Sequence, residues 1–430
     1  MLKRIALSDL ELGMFVHKME GNWFEHPFWK GRFMIETQDK LRMLKSSGLE
    51  EVVIDTSKGK DITRQPAQRS TPKDSGRPSP KIRINGIKSR RSVVPKPIVP
   101  ASTEKELHAA QKIAEKAKDN MRQAFLAARL GKALNVRAVE PVVKDILGSV
   151  RRNPQAFAGL MRCKLQNELI FRHALAVSAL MVSLGRQMKL CEKAVYEAGL
   201  AGLFLDIGTN YLPKDLNPRG GDYRNADPKI WQQHVTLGHR VLQNDDSLPE
   251  AVLDACLHHH ERIDGTGFPN GLAQEDIGQV GRMAAICDTF DYMLTQTDAT
   301  EALDPALAIQ KLLAIEGAFD TDILRLFIES VGLYPVGSFV RLRSDKLAMV
   351  IDEDPKESAK PVVQAFYSFA SADRIVPHRV ELARRKTEDE IVGIADLSGL
   401  NLPEDGQLRE LIFLSAHKLS DNTLVVHKAC

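Results

Sequence analysis

The sequence predicts a mainly α-helical protein, a helical bundle with a small α+β unit in front of it and a β-rich tail behind. Three observations carry that expectation. Apolar residues recur at helical spacing almost without a break from about residue 103 to 332. Short β-branched and aromatic runs stand on either side of that stretch. A segment rich in proline, lysine and arginine separates the front unit from the helices. At 430 residues, 43% hydrophobic and 27% charged, the composition is that of a folded, multi-domain chain and excludes a wholly disordered or fibrous one. The longest nearly apolar stretch, residues 174–184, is far short of the ~20 residues that cross a bilayer. The N-terminus shows no secretion signal. The five cysteines (Cys163, Cys191, Cys256, Cys287, Cys430) are odd in number and form no C-x-x-C pair, so reduced thiols and a cytoplasmic location are expected.

Residues 1–62 read as the α+β unit. Runs at 13–16 and 51–55 have strand composition, and 38–47 reads as a short helix ending before Gly48. Trp23, Phe24, Phe28 and Trp29 crowd the intervening stretch, as a small core or as an interface patch. Residues 63–101 read as a disordered linker. Positions 64–100 hold seven prolines and ten Lys or Arg against a single acid, Asp74. That strap carries +9, so the rest of a chain with net charge +3 carries −6. The strap is either a solvated tether or a docking strip for acidic partners, nucleic acid or anionic lipid. A nucleic-acid-binding surface spread over the whole molecule is excluded, because the basic footprint is confined to the strap.

Residues 102–334 read as the helical domain. Thr103 and Glu106 offer a capping box for a helix running to about Leu130 and stopped by Gly131. Further helical patterns cover 165–188, 192–204, 228–244, 248–261, 280–294 and 305–315. Residues 335–430 read as a β-rich extension, with strand-like runs at 338–342, 347–351 and 361–367. Beyond about 385 the pattern is too weak to place elements.

Six of the twelve histidines fall between 173 and 260: His173, His234, His239, His258, His259 and His260. Val252, Cys256 and His259 share helical spacing, which sets at least one imidazole on an apolar face. Asp206, in LFLDI, and Asp288, in AAICD, sit in apolar helical contexts where a carboxylate needs a cation partner. Imidazoles with carboxylates in a dry helical core suit Zn, Fe, Mn or Co better than Ca or Mg.

The run HHERIDGTGFPNGL (259–272) closely resembles the signature of the HD-GYP family, a bacterial branch of the HD phosphohydrolase superfamily. The resemblance spans about 160–335. It takes in His173, Asp206 33 residues later, His234 with Gly238, the pair His259-His260, and Asp288 in ICDTFD. GMFVHKMEGNWFEHPFW and EVVIDTSKG resemble the uncharacterised domain that often precedes HD-GYP domains. The resemblance implies an HD-type helical bundle, an iron or manganese centre, and hydrolysis of cyclic di-GMP to pGpG or GMP. It assigns His234, His259, His260 and a bridging Asp206 to one metal, and His173, Asp206 and Asp288 to a second; with the family's HD histidine absent, the first is expected to be strong and the second weak. Catalysis then falls to Asp206, His234, His259, His260 and Asp288, and Arg262, Asp264, Gly265, Gly267, Phe268 and Pro269 form the substrate loop.

The chain departs from the family at three places. Leu205 replaces the histidine of the HD pair, Thr209 replaces a lysine, and 295–300 (TQTDAT) replaces a basic element. The expected function is therefore a weakened cyclic di-GMP phosphodiesterase in bacterial signalling; the alternative is a degenerate domain binding nucleotide, metal or a partner protein without turnover. The expected partners are cyclic di-GMP or a related nucleotide, a signalling protein and a second copy of the chain.

Overall fold

The computed structural model describes residues 2–6, 9–20, 33–35, 38, 41, 51–60, 101–129, 136–163, 169–213, 227–295, 301–354, 357–384 and 388–418. They belong to two compact units that divide near residue 97.

The first unit holds an antiparallel sheet of β1 (Leu2–Ala6), β2 (Phe15–Glu20), β3 (Phe33–Met34) and β4 (Glu51–Asp55), in the order β1-β4-β2-β3. Alternation along β4 sends Val52 and Ile54 inward, onto Ile5, Leu10, Met14, Val16 and Ile35. The strand expected at 51–55 is β4; the one expected at 13–16 begins at Phe15, because Gly13 turns the chain at φ +89°. The aromatic cluster at 23–29 and nearly all of the 38–47 helix and of the basic linker lie outside the described residues.

The second unit opens with α1 (Thr103–Arg129). Its start is where the sequence puts it, but the capping box does not form. Glu106 is buried and reaches Arg152 Nε and Nη2 at 2.6 and 2.8 Å and Ser149 Oγ at 2.7 Å, while Thr103 Oγ1 donates to Asp352 Oδ2 at 2.7 Å. A two-pronged charged contact outweighs a single N–H cap. Then come α2 (Val136–Arg152), α3 (Ala156–Cys163), α4 (Leu169–Gln187) and α5 (Glu192–Phe204). The helix expected over 228–244 appears as α6 (Pro228–Trp231) and α7 (Gln233–Leu242), joined through Gln232, whose backbone stays helical. Next are α8 (Glu250–His258), α9 (Gln279–Met293) and α10 (Pro305–Ala314). The helical spacing that runs to about 332 closes with α11 (Thr321–Val331), which Asp320 caps by accepting from the N–H groups of Asp322 and Ile323.

The tail is an antiparallel sheet of β5 (Phe339–Leu342), β6 (Lys346–Asp352), β7 (Val362–Ser368), β8 (Asp373–Glu381) and β9 (Ile391–Ile394), ordered β8-β7-β6-β5-β9, followed by α12 (Asp405–His417). Sheet and bundle share one apolar core that takes in Phe157, Phe327, Phe339 and Phe413 together. The boundary expected at 334/335 thus marks a change of element type, not of core. Asp304 ties the two, capping Ala306 N–H at 2.9 Å with one oxygen and accepting Phe339 N–H at 2.8 Å with the other. Among the described residues no helix is long and apolar enough to cross a membrane.

The same seam buries Glu353, which accepts from Gln155 Nε2 at 2.8 Å. Burial pushes its carboxyl from 4.5 up to about 7, against the pull of Arg162. The folded state therefore holds a proton that the unfolded chain releases. That stability is full below pH 4.5 and is lost as pH rises through 7, for up to about 3 kcal/mol. Thermal melts from pH 5 to 9 should show Glu353→Gln gaining on the parent as pH rises; a constant difference between the two would contradict this assignment.

Candidate metal centre

Four helices and one tight turn bring the site together. His173 lies on α4, Asp206 just past the end of α5, His234 on α7, His259 and His260 at the end of α8, and Asp288 on α9. After Asp206 the chain makes a 3₁₀ turn, Ile207–Tyr211, that lies directly on α7. A Cβ on Gly208 would stand 1.9 Å from His234 O and 2.5 Å from Gly238 N, and one on Gly238 would stand 3.0 Å from Cys256 Sγ of α8. Backbone touches backbone there, and only glycine permits it.

The six residues fall into two groups, His234/His259/His260 and His173/Asp206/Asp288, and within each the candidate ligand atoms lie within 4.8 Å of one another. Asp206 offers one oxygen to each. Its Oδ1 is 3.5 Å from His234 Nε2 and 3.8 Å from His259 Nε2, and its Oδ2 is 3.5 Å from His173 Nε2. His234 and His259 donate their Nδ1–H to the carbonyls of Trp231 (2.7 Å) and Cys256 (3.0 Å). Their Nε2 lone pairs then face each other at 3.3 Å. Asp206 Oδ1 and His260 Nε2 are buried and have no hydrogen-bond partner. Lone pairs converging without a proton between them are what a cation satisfies, and the nitrogen and oxygen donors suit a transition metal. The residues present therefore fit such an ion.

Electrostatics separates the two groups. Burial pushes His234 down to about 4 and His260 well below the usual imidazole range, so both keep their lone pairs. Burial acts the same way on His173, but hydrogen bonds to Asp288 Oδ1 (2.9 Å) and Asp291 Oδ2 (2.8 Å) more than reverse it and carry it up to about 10. Asp288 is buried too, and its contact with His173 holds it below the ordinary carboxylate value. A cation in this group would take the place of the Nε2 proton, with Asp291 accepting from Nδ1 and fixing the ring.

Sequence reasoning missed Asp291. It lies one turn beyond Asp288 in the same apolar helix, a spacing that was legible. It also missed Glu261, buried with its oxygens accepting the N–H groups of Asn270 (2.7 Å) and Leu272 (3.0 Å). Trp231, too, went unmarked, and it stacks on His234 with centroids 4.0 Å apart.

The loop after His260 folds back onto the site. A Cβ on Gly267 would be 2.5 Å from Arg262 N, Glu261 Cα and His260 O, so the turn packs directly on the main chain. Gly265 takes φ +78°, and Phe268, followed by Pro269, donates its N–H to His260 O at 3.2 Å and lies over the His260 ring at 4.7 Å. Asp264 turns into its own loop, accepting from Thr266 N–H and Oγ1, and Arg262 rests over Phe319. Of the expected loop residues, the structure thus brings Phe268 onto the histidine group and engages Asp264 and Arg262 in holding the loop's shape.

At the departures, Leu205 is buried in the apolar core, and its carbonyl accepts from Cys256 Sγ. Thr209 Oγ1 donates to Asp206 O at 2.7 Å, locking the turn. Residues 296–300 lie outside the described residues.

Residues 160–323 match the HD domain family, and residues 2–139 match a domain of unknown function, DUF3391. The chain is 36% identical over 404 residues to cyclic di-GMP phosphodiesterase PA4108 of Pseudomonas aeruginosa, covering 93% of this chain and 94% of that protein. It is 32% identical over 126 residues to a cyclic di-GMP phosphodiesterase of Thermotoga maritima, 29% of this chain and 34% of that one. A solved structure, Bd1817, an HDG"Y"P protein from Bdellovibrio bacteriovorus, aligns at TM-score 0.44 and 17% identity over 76% of this chain and 99% of its own.

The contact between Asp291 and His173 yields a direct test. Asp291→Ala should weaken metal binding at the His173/Asp206/Asp288 group by roughly 10–100-fold and leave the three-histidine group as it is. Metal titration by calorimetry reads both positions; equal affinities in parent and variant would show that Asp291 does not support the ligand.

Proposed function

The chain belongs to the HD-GYP branch of the HD-domain family, joined to an N-terminal DUF3391 unit, and from that premise we propose that it is a metal-dependent phosphodiesterase of reduced activity acting on cyclic di-GMP. The observation that carries this reading is Asp206, whose oxygens divide between two groups of nitrogen and oxygen donors while Oδ1 stays buried and unpartnered. Iron or manganese fits that donor set. When bound, such ions supply Lewis-acid neutralisation of phosphodiester charge.

The chain's own residues supply the rest. His234, His259 and His260 present nitrogen donors that lie within 4.8 Å of one another. Glu261, by holding Asn270 and Leu272, sets the loop so that Phe268 forms a wall beside His260. His173 directs Nδ1 to Asp291 and Nε2 to Asp288, and would give up the Nε2 proton to a cation held by that group.

The reduced activity follows from Leu205 and Thr209. An apolar side chain adjoins Asp206 where the family supplies a nitrogen donor, and a hydroxyl already spent on Asp206 O stands where it supplies a cation. The same two residues favour the second reading, a domain that binds metal and nucleotide without turnover. The proposed product is pGpG or GMP, and the setting is bacterial second-messenger signalling in the cytoplasm.

Elemental analysis and a cyclic di-GMP turnover assay separate the two. The active reading expects about one tightly held metal per chain and slow hydrolysis, with Leu205→His gaining a second equivalent and at least ~10-fold in rate, or ~1.4 kcal/mol. Metal gained without turnover makes the domain a binding module. No metal and no turnover in either protein defeats both readings.

A further inference from the structure

Three consecutive histidines end α8, and the metal centre uses only His259 and His260. His258 points elsewhere. Its Nδ1 lies 2.8 Å from Asp254 Oδ1, one helical turn back. A carboxylate there accepts from Nδ1–H and leaves the lone pair on Nε2. That nitrogen is 3.2 Å from Asn270 Nδ2, which donates to it. Asn270 also gives its main-chain N–H to Glu261 at 2.7 Å, so this one residue is held by side chain and backbone together. Two positions earlier, Phe268 lies over the His260 ring at 4.7 Å with 24° between the planes. Room for the Asp254–His258 pair is cut into the start of α9: a Cβ on Gly278 would stand 2.1 Å from Asp254 Oδ2, and one on Gly281 3.7 Å from His258 Cβ.

We propose that His258 is a positioning residue: oriented by Asp254, it holds the substrate loop through Asn270 and so sets Phe268 against the three-histidine group. Losing it frees the end of the loop without touching a ligand. The substrate side of the proposal rests on the phosphodiesterase reading; the loop side does not.

The test uses full-length protein loaded with manganese, the variants His258→Phe, His258→Gln and Asn270→Ala, and two readouts. Hydrogen exchange follows peptides within 264–272, with 279–293 as the control. Steady-state kinetics with cyclic di-GMP gives KM and kcat. His258→Phe and Asn270→Ala should speed loop exchange at least ~5-fold and raise KM about fivefold, the scale of one neutral hydrogen bond, with kcat, metal content and Tm held. Glutamine carries a donor and an acceptor at its tip, the two roles His258 plays, so His258→Gln should keep both readouts near the parental values. The proposal is overturned if His258→Phe leaves loop exchange at the parental rate, if the loop loosens while KM stays put, or if metal content and Tm fall with it. Should the parent show no turnover, the phosphodiesterase reading fails, and the exchange readout still decides whether His258 pins the loop.

Discussion

The candidate metal centre depends on one steric fact, the contact of Gly208 with the main chain between His234 and Gly238. Asp206 lies on a turn too short to reach across to α7 by side-chain length alone. The turn must itself press against the helix, and two glycines facing each other allow it. Cys256 closes the third side, its sulfur filling the hollow beside Gly238 while it donates to the carbonyls at the end of α5. The turn after α5, the helix α7 and the helix α8 are thereby held against one another by backbone and sulfur contacts that involve no charged group. Polar groups are affordable in that interior because the backbone already sets their geometry.

The charges then settle into an order. Asp206, Asp288 and Asp291 place three carboxylates near one imidazole that can be cationic, His173, while burial keeps His234 and His260 opposite it neutral. One half of the site thus accumulates negative charge and the other accumulates lone pairs. Asp206 belongs to both. The asymmetry would make the two halves answer a cation differently: the facing Nε2 atoms of His234 and His259 have no proton between them to give up, whereas the His173 side would exchange one.

Much of this was readable in the sequence because it is local. Glu51–Asp55 is a strand by composition and a strand in the fold, and the six donors are unusual residues in apolar settings. What escaped was set by distant partners. Thr103 and Glu106 have the spacing of a cap, yet their partners lie 249 and 46 residues away, at Asp352 and Arg152. Asp291 stands at a legible spacing from Asp288, whereas Glu261, just past the end of α8, shows its role only through the N–H groups of Asn270 and Leu272. The helix at Asp405–His417 was hidden because its inward face includes Arg409 and His417 beside Leu408, Ile412 and Phe413. Arg409 lies over Phe339 and donates to Gly337 O, and His417 bonds to Ile351 O, so two polar residues occupy positions where a periodicity argument looks for apolar ones.

The seam at Asp304 and Phe339 bears on how such a chain can be rebuilt over generations. A tail joined through a wet interface can be exchanged for another with little loss. Here Phe339 and Phe413 belong to the same interior as Phe157 and Phe327, and Asp304 stitches a helix start to a strand. Severing the chain between them would lay bare apolar surface on both pieces and strand a buried carboxylate. Exchange of the sheet alone is thereby disfavoured, and bundle and sheet stand as a single part within the compact unit of residues 98–419.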